Sequence, residues 1–242
     1  MPDVNVLISC VVLAAGKGTR LGLPDPKPLT PIGNDQTILG AQVSRLEEAF
    51  GASLELTVVT GHMSDNFDFL RPQARLVTNP RFAETNTAKS LLVAMESLST
   101  GPVLWLNGDV VFKPNVLAVC KETMRAGRSF MVVNQADTGE EEVKYSLSES
   151  GEINAVGKKL NVSSGEAVGI NFVSATDFPQ FVESLRAVAD DDYFEAAIQL
   201  LLSNGQATFF PVTVGTHDAM EIDTPADLAT AIELFGLTDP VD

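Results

Sequence analysis

The chain has 242 residues, enough for one large α/β core, and sets 16 Lys and Arg against 32 Asp and Glu for a net charge of −16. That acidity excludes nucleic acid and anionic membranes as partners, since both require a broad basic face. Cys10 and Cys120 stand on apolar segments without CxxC spacing, the N-terminus has no basic leader, and no apolar run is long enough to span a membrane, so a single cytoplasmic domain over residues 1–242 is expected.

Along the chain, apolar β-branched runs alternate with stretches of helical period, the pattern of a mainly parallel sheet covered by helices on both faces. The first strand is expected near residues 4–13 and runs into Leu13-Ala-Ala-Gly-Lys-Gly-Thr-Arg-Leu21. Gly16 and Gly18 supply a tight turn whose N–H groups can approach a polyphosphate. Lys17 and Arg20 supply charge, and Lys27 adds a third cation on the proline-stiffened Pro24-Asp-Pro-Lys-Pro-Leu29. The spacing is neither GxxxxGK[ST] nor GxGxxG, because Leu21 stands where a third glycine would fall, and this disfavours a plain Rossmann dehydrogenase. Taken alone, the loop is also compatible with an ordinary glycine turn and solvated cations.

Helices are expected over 36–49, 63–71, 87–99 and 114–126, with strands over 54–60, 74–78, 102–107 and 129–134. In such a sheet, ligands gather beyond the carboxyl ends of the strands. There Val103-Leu-Trp-Leu-Asn-Gly-Asp109 presents a carboxylate, either as a Mg²⁺ ligand or as a turn aspartate bonded to its own backbone. Between 143 and 174 the pattern changes. Lys144-Tyr-Ser-Leu-Ser148 and Glu152-Ile-Asn-Ala-Val156 flank Glu149-Ser-Gly151, which predicts a small β-hairpin in an insertion over about 140–175 that covers a second substrate. A strand over 170–174 and helices over 175–187 and 193–203 follow. In Glu221-Ile-Asp-Thr-Pro-Ala-Asp-Leu228, Pro225 takes the first position of a helix over 224–235. A helix cap accounts for Thr224 or Asp223 but not for Glu221 and Asp223 converging on a polyanion site, so a metal role stays open, two carboxylates far apart in sequence being a usual way to hold one Mg²⁺. His62 and His217 read as structural or peripheral, with His217 near enough to Asp223 to line a pocket.

The ordered set Leu13-x-x-Gly-x-Gly-x-Arg-Leu21, Pro26-Lys-Pro-Leu29, Asn107-Gly-Asp109 and Glu221-Ile-Asp-Thr-Pro-x-Asp-Leu228 resembles the nucleotidyltransferases that make activated sugars and activated lipid head groups. Asn79-Pro-Arg-Phe-Ala-Glu-Thr-Asn-Thr-Ala-Lys-Ser-Leu-Leu92 and Gly157-Lys-Lys-Leu160 are most similar to the phosphocholine and phosphonate cytidylyltransferase branch, although the segment reads Thr85-Asn86-Thr87 where that branch often has a second Asn. The resemblance implies a Rossmann-like fold of the nucleotide-diphospho-sugar transferase type. It implies a nucleotide site of Leu13, Ala14, Ala15, Gly16, Lys17, Gly18, Thr19, Arg20 and Lys27, with Thr85, Asn86, Ser90, Asn107 and Gly108. It further implies Mg²⁺ on Asp109 and Asp223, and catalytic roles for Arg20, Lys27 and Lys158.

For the acceptor it implies Lys158 or Lys159 at the phosphate or phosphonate; Glu166, Gly169, Asp192 and Tyr193 are further acceptor candidates read from the sequence itself. Choline is usually recognised by aromatic faces. These are few here: Trp105 reads as core, leaving Tyr145, Phe172, Tyr193 and Phe194. The run Asp190-Asp-Asp-Tyr-Phe-Glu195 would pair a primary ammonium with a carboxylate, or else Asp192 and Glu195 form the capping box of a helix. The expected activity is transfer from CTP to a small phosphorylated or phosphonylated amino alcohol, such as phosphocholine or 2-aminoethylphosphonate, with release of pyrophosphate. A sugar-1-phosphate nucleotidylyltransferase using UTP or dTTP is the alternative, and a non-catalytic nucleotide-binding relative a third.

Overall fold

The computed structural model describes residues 7–98 and 100–235, with the side chain of Thr19 outside that description, as are residues 4–6 of the expected first strand. β1 (Ile8–Ala14) leads through two short 3-10 turns to a ribbon of β2 (Pro31–Gly33) and β3 (Gln36–Thr37), then α1 (Ile38–Phe50), β4 (Leu54–Thr60) and β5 (Arg75–Thr78). Next come α2 (Thr87–Ser97), β6 (Val103–Asn107), β7 (Val110–Phe112), α3 (Pro114–Arg125) and β8 (Phe130–Asn134). The hairpin β9 (Lys144–Leu147) and β10 (Ile153–Gly157) precedes β11 (Gly165–Val173), α4 (Phe178–Ala187), α5 (Phe194–Ser203), β12 (Phe210–Thr213), β13 (Ala219–Glu221) and α6 (Pro225–Phe235).

The main sheet runs β5-β4-β1-β6-β11-β8-β12, and β11 alone of these strands is reversed. β11 is long enough to pair β6 with one half and β9 with the other, so the hairpin grows from the same edge of that strand. The expected insertion is therefore continuous with the sheet. Tyr145, Ile153 and Val156 are buried in its core.

Side chains alternate across the pleat of β1, with period 2. Cys10 and Val12 face α1 and α3, packing with Leu39, Leu46, Leu117 and Cys120. Val11 and Leu13 face α2, α4 and α5, packing with Leu91, Phe181, Phe194 and Leu201. Trp105 is fully buried on this second face, stacked 5.0 Å from Phe181 and edge-on at 5.6 Å to Phe194, as its apolar strand predicted. Both cysteines are buried free thiols, and burial pushes both thiol pKa values up. Among the described residues no helix is long and apolar enough to cross a membrane.

Several boundaries differ from expectation. The expected helix over 63–71 is a 3-10 segment, Ser64–Leu70, entered through Met63 in the left-handed region at φ 49°. α1 starts two residues later than expected because the β2–β3 ribbon turns through Asn34 and Asp35, also left-handed; Thr37 then caps the helix, its Oγ1 accepting from Gly40 N at 3.0 Å. β2, β3, β7 and β12 were not foreseen, and β11 begins five residues before the expected 170.

Candidate active site

The site forms where β1 and β6 end side by side. Gly108 N donates to Leu13 O at 2.9 Å, binding the turn after β6 to the start of the glycine loop. Gly18 has φ +59°, and a Cβ there would lie 2.5 Å from Lys27 Cβ, so only glycine lets the loop pass this close to the third cation. The proline-flanked loop in turn buries Lys27, whose side chain is 10 % exposed.

Lys27 Nζ lies 2.7 Å from Asp109 Oδ2 and 2.5 Å from Asp223 Oδ1, joining two carboxylates separated by more than a hundred residues. Burial opposes the Lys27 charge, but the charge and hydrogen bonds of Asp109, reinforced by Asp223, outweigh it and hold the pKa above the ordinary lysine value. Arg20 Nη1 reaches the other Asp223 oxygen at 3.1 Å and stands 3.9 Å from Glu141. Asp223 is free for these contacts because Thr224 takes the cap of α6. Its Oγ1 accepts from Asp227 N at 3.2 Å, while Asp227 Oδ2 accepts from Thr224 N at 2.7 Å.

This donor set fits an oxygen-preferring dication that completes its shell with phosphate oxygens and waters. Asp109 Oδ1 is buried without a hydrogen-bond partner, and the Lys27 ammonium stands between the two carboxylates as a cation in that place. Among the described residues no group of three or more His, Cys, Asp or Glu is disposed to hold a metal.

Two adjoining cavities meet here. The larger, of 400 Å³, is lined by Leu13, Ala14, Gly16, Lys17, Gly18, Arg20, Lys27, Thr85, Asn86, Gly108 and Asp109, all expected from the sequence, together with Pro28, Phe82, Ala83 and Tyr193. Ala15 is buried behind the loop, where its carbonyl accepts from His62 N at 3.1 Å. Thr19 falls outside the described side chains. Ser90 does not line the cavity: its hydroxyl accepts from Asn79 Nδ2 at 3.0 Å, fixing the segment that carries Thr85. Lys89 points the other way and donates to the carbonyls of Leu185, Arg186 and Val188 at the end of α4.

The smaller cavity, of 160 Å³, is lined by Asn107, Asp109, Glu141, Lys158, Tyr193, Glu195, Glu221 and Asp223 among others. Lys158 follows the hairpin, with Nζ 5.1 Å from the centroid of the Tyr193 ring and 3.6 Å from Glu141. Gly169 passes beneath, at φ +69°, where a Cβ would lie 2.7 Å from Asn107 Nδ2 and 2.8 Å from Glu221 Oε1. Lys159 is exposed and lines neither cavity. Glu166 also lies off both, accepting from Asn134 Nδ2 at 3.0 Å; burial raises its pKa. Asp192 accepts from Ala189 N at 2.8 Å within a turn. The helix starts at Phe194 with Tyr193 as its cap residue, so Asp192 and Glu195 do not form a capping box. His217 is exposed and lines neither cavity.

Glu195 is one of the carboxylates that line this smaller cavity. It is buried, Oε2 has no partner, and burial pushes its pKa up to about 7 against the opposing charge of Lys158. Glu221, which accepts from Asn107 Nδ2 at 3.0 Å, keeps some surface toward the cavity but is otherwise enclosed by protein. Burial and then the charge of Asp109 push it up to about 8. In the sequence Glu195 closes the run offered for a primary ammonium but shares a capping spacing with Asp192, which left its place in the site undecided. The available signal was its place among Phe194, Ala197, Ile198 and Leu201, the buried stripe of α5, where a carboxylate has no packing reason to stand.

Comparison with known proteins agrees with this architecture. CMP-5'-(3-aminopropyl)phosphonate synthase of Streptomyces rubellomurinus is 38 % identical over 125 residues, covering 48 % of this chain and 19 % of that protein. The bifunctional protein GlmU of Nitrobacter hamburgensis is 23 % identical over 93 % of this chain and 52 % of its own length. The chain thus spans about half or less of these curated relatives. Among solved structures, the CTP:phosphocholine cytidylyltransferase of Streptococcus pneumoniae superposes with a TM-score of 0.73 at 20 % identity, covering 94 % of this chain and 99 % of that one. The inositol-1-phosphate CTP transferase of T. maritima does so with 0.75 at 18 %, covering 96 % and 99 %. Residues 10–190 match the sequence model of the MobA-like NTP transferase domain, and the chain belongs to that family of nucleotidyltransferases.

Proposed function

We propose that this nucleotidyltransferase uses CTP and Mg²⁺ to activate a small phosphonate or phosphate that carries a primary amine. The observation that carries this is the convergence of Lys27, Asp109 and Asp223 beside the Gly16–Gly18 loop, adjoined by a second cavity with a cation at its rim and buried carboxylates within. Lys17 and Arg20 neutralise the triphosphate, and Lys27 follows the reacting phosphates when it gives up its carboxylates. Asp109 and Asp223 would hold Mg²⁺, which supplies charge stabilisation at the phosphoryl oxygens.

In the smaller cavity Lys158 binds the acceptor's phosphonate. Glu195 and Glu221 face its ammonium, and Tyr193 closes the side. An acceptor oxygen, already ionised at neutral pH, forms a bond to the α-phosphorus while the bond to the bridging oxygen breaks, and pyrophosphate leaves with that electron pair. No general base is needed, and catalysis is positioning and charge neutralisation. The partial match to an aminophosphonate cytidylyl synthase supports this choice of base and acceptor.

A second reading, a sugar-1-phosphate nucleotidylyltransferase, is supported by the fold shared with a proposed glucose-1-phosphate thymidylyltransferase of Bacillus anthracis, at a TM-score of 0.74 and 17 % identity. Release of pyrophosphate, screened with the four common nucleoside triphosphates against 2-aminoethylphosphonate, phosphocholine and glucose 1-phosphate, separates the two. Turnover with CTP and the aminophosphonate is expected. Turnover confined to UTP or dTTP with the sugar phosphate would sink the cytidylyl assignment.

A further inference from the structure

α1 packs on the sheet through Ile38, Leu39, Val43 and Leu46, and one position of that apolar stripe is polar: Gln42, 1 % exposed. A buried primary amide is costly unless its hydrogens are used. Both are used, because Gln42 Nε2 donates at 2.8 Å to Asn107 O and at 2.8 Å to Val110 O, the two ends of the turn that carries Asp109. The opposite orientation of the amide would set Gln42 Oε1 against both carbonyls, so the pairing is unambiguous. The same turn is tied elsewhere by Gly108 N to Leu13 O and by Ile222 N to Asp109 O at 3.0 Å. Ile222 immediately precedes Asp223, so the backbone joins the two carboxylates in one frame, and Gln42 braces that frame from the core side. Gln42 itself lines neither site cavity.

We propose that Gln42 is a positioning residue that fixes the direction of the Asp109 carboxylate toward the dication, an inference resting on the metal role given to Asp109 above. A leucine would fill the same stripe equally well, so packing alone does not call for an amide. Losing both donors takes a partner from the carbonyl at each end of a turn whose middle carries the ligand, and the turn relaxes to satisfy them. Outer partners of metal ligands typically control affinity by roughly 10–100-fold.

The test is Mn²⁺ titrated by electron paramagnetic resonance onto the full chain with a non-hydrolysable CTP analogue, comparing wild type, Gln42→Leu and, as the reference for complete loss, Asp109→Asn. Gln42→Leu is expected to weaken Mn²⁺ by about 10-fold or more, with kcat falling and the KM for CTP unchanged. Should Gln42→Leu fail to fold, Gln42→Asn keeps an amide in the stripe but is one methylene too short to span the turn, and the same weakening is expected there. Wild-type Mn²⁺ affinity in either folded variant overturns the role of Gln42 while leaving that of Asp109 intact. If wild type itself takes up no Mn²⁺ with the analogue, the metal role of Asp109 falls, and the inference with it.

Discussion

Lys27 spans two carboxylates that would repel each other if it left. A dication held through the same oxygens would compete with the ammonium, so its binding would require Lys27 to leave. Lys27→Met removes the competitor as well as the phosphate contact. In nucleotide-free protein the variant should bind Mn²⁺ roughly tenfold more tightly than wild type, while its turnover falls by about 10²-fold or more. Unchanged Mn²⁺ affinity would show that the ammonium does not hold the metal's place.

Glu195 is the other residue whose chemistry follows from its burial. The folded protein keeps its proton to about pH 7, whereas the unfolded chain releases it near the ordinary value of 4.5. The folded state therefore binds more protons across that window, and stability falls as pH rises from about 4.5 to about 7, then stays level for this group. Glu195→Gln abolishes that loss. Its Tm relative to wild type should climb through the window and hold above it, while KM for an ammonium-bearing acceptor rises about tenfold or more. A pH-independent difference in Tm would contradict a buried, proton-holding Glu195.

At the scale of elements, the cap of α6 decides where Asp223 points. Thr224→Ala removes the hydroxyl that accepts from Asp227 N and should cost about 1 kcal/mol of stability, read as a lower Tm, with weaker metal affinity because Asp223 is next in the chain. No loss of Tm would mean that Pro225 alone holds the helix start. Long elements announced themselves through period: β1, β4, β6, α2, α3 and the hairpin stand close to where their apolar patterns put them. Three-residue β7 and β13 pair only with each other and show too few alternations for a period to register. The capping spacing at Asp192 and Glu195, which α5 does not use although it starts beside it, has the same origin, since four residues carry a local signal whether or not a helix uses it.

At the scale of the molecule, the parallel strands bring residues near 16, 27, 108 and 222 to one sheet edge, where a protein of net charge −16 concentrates three of its few cations. The glycine loop and the two aspartates were visible because each is a compact run of sequence at a strand or helix end. The contacts of Glu141 and Gln42 were not, because they run across the fold between segments that no spacing relates. Ser90, expected at the nucleotide, differs the other way: its buried hydroxyl is taken up by Asn79.

The most direct measurement is ³¹P NMR of the purified chain with CTP, 2-aminoethylphosphonate and Mg²⁺. Transfer predicts new coupled resonances of a mixed phosphonate–phosphate anhydride growing together with pyrophosphate, and neither appearing when Mg²⁺ is chelated. An unchanged CTP spectrum, alongside formation of a sugar nucleotide from UTP or dTTP and glucose 1-phosphate, would contradict it.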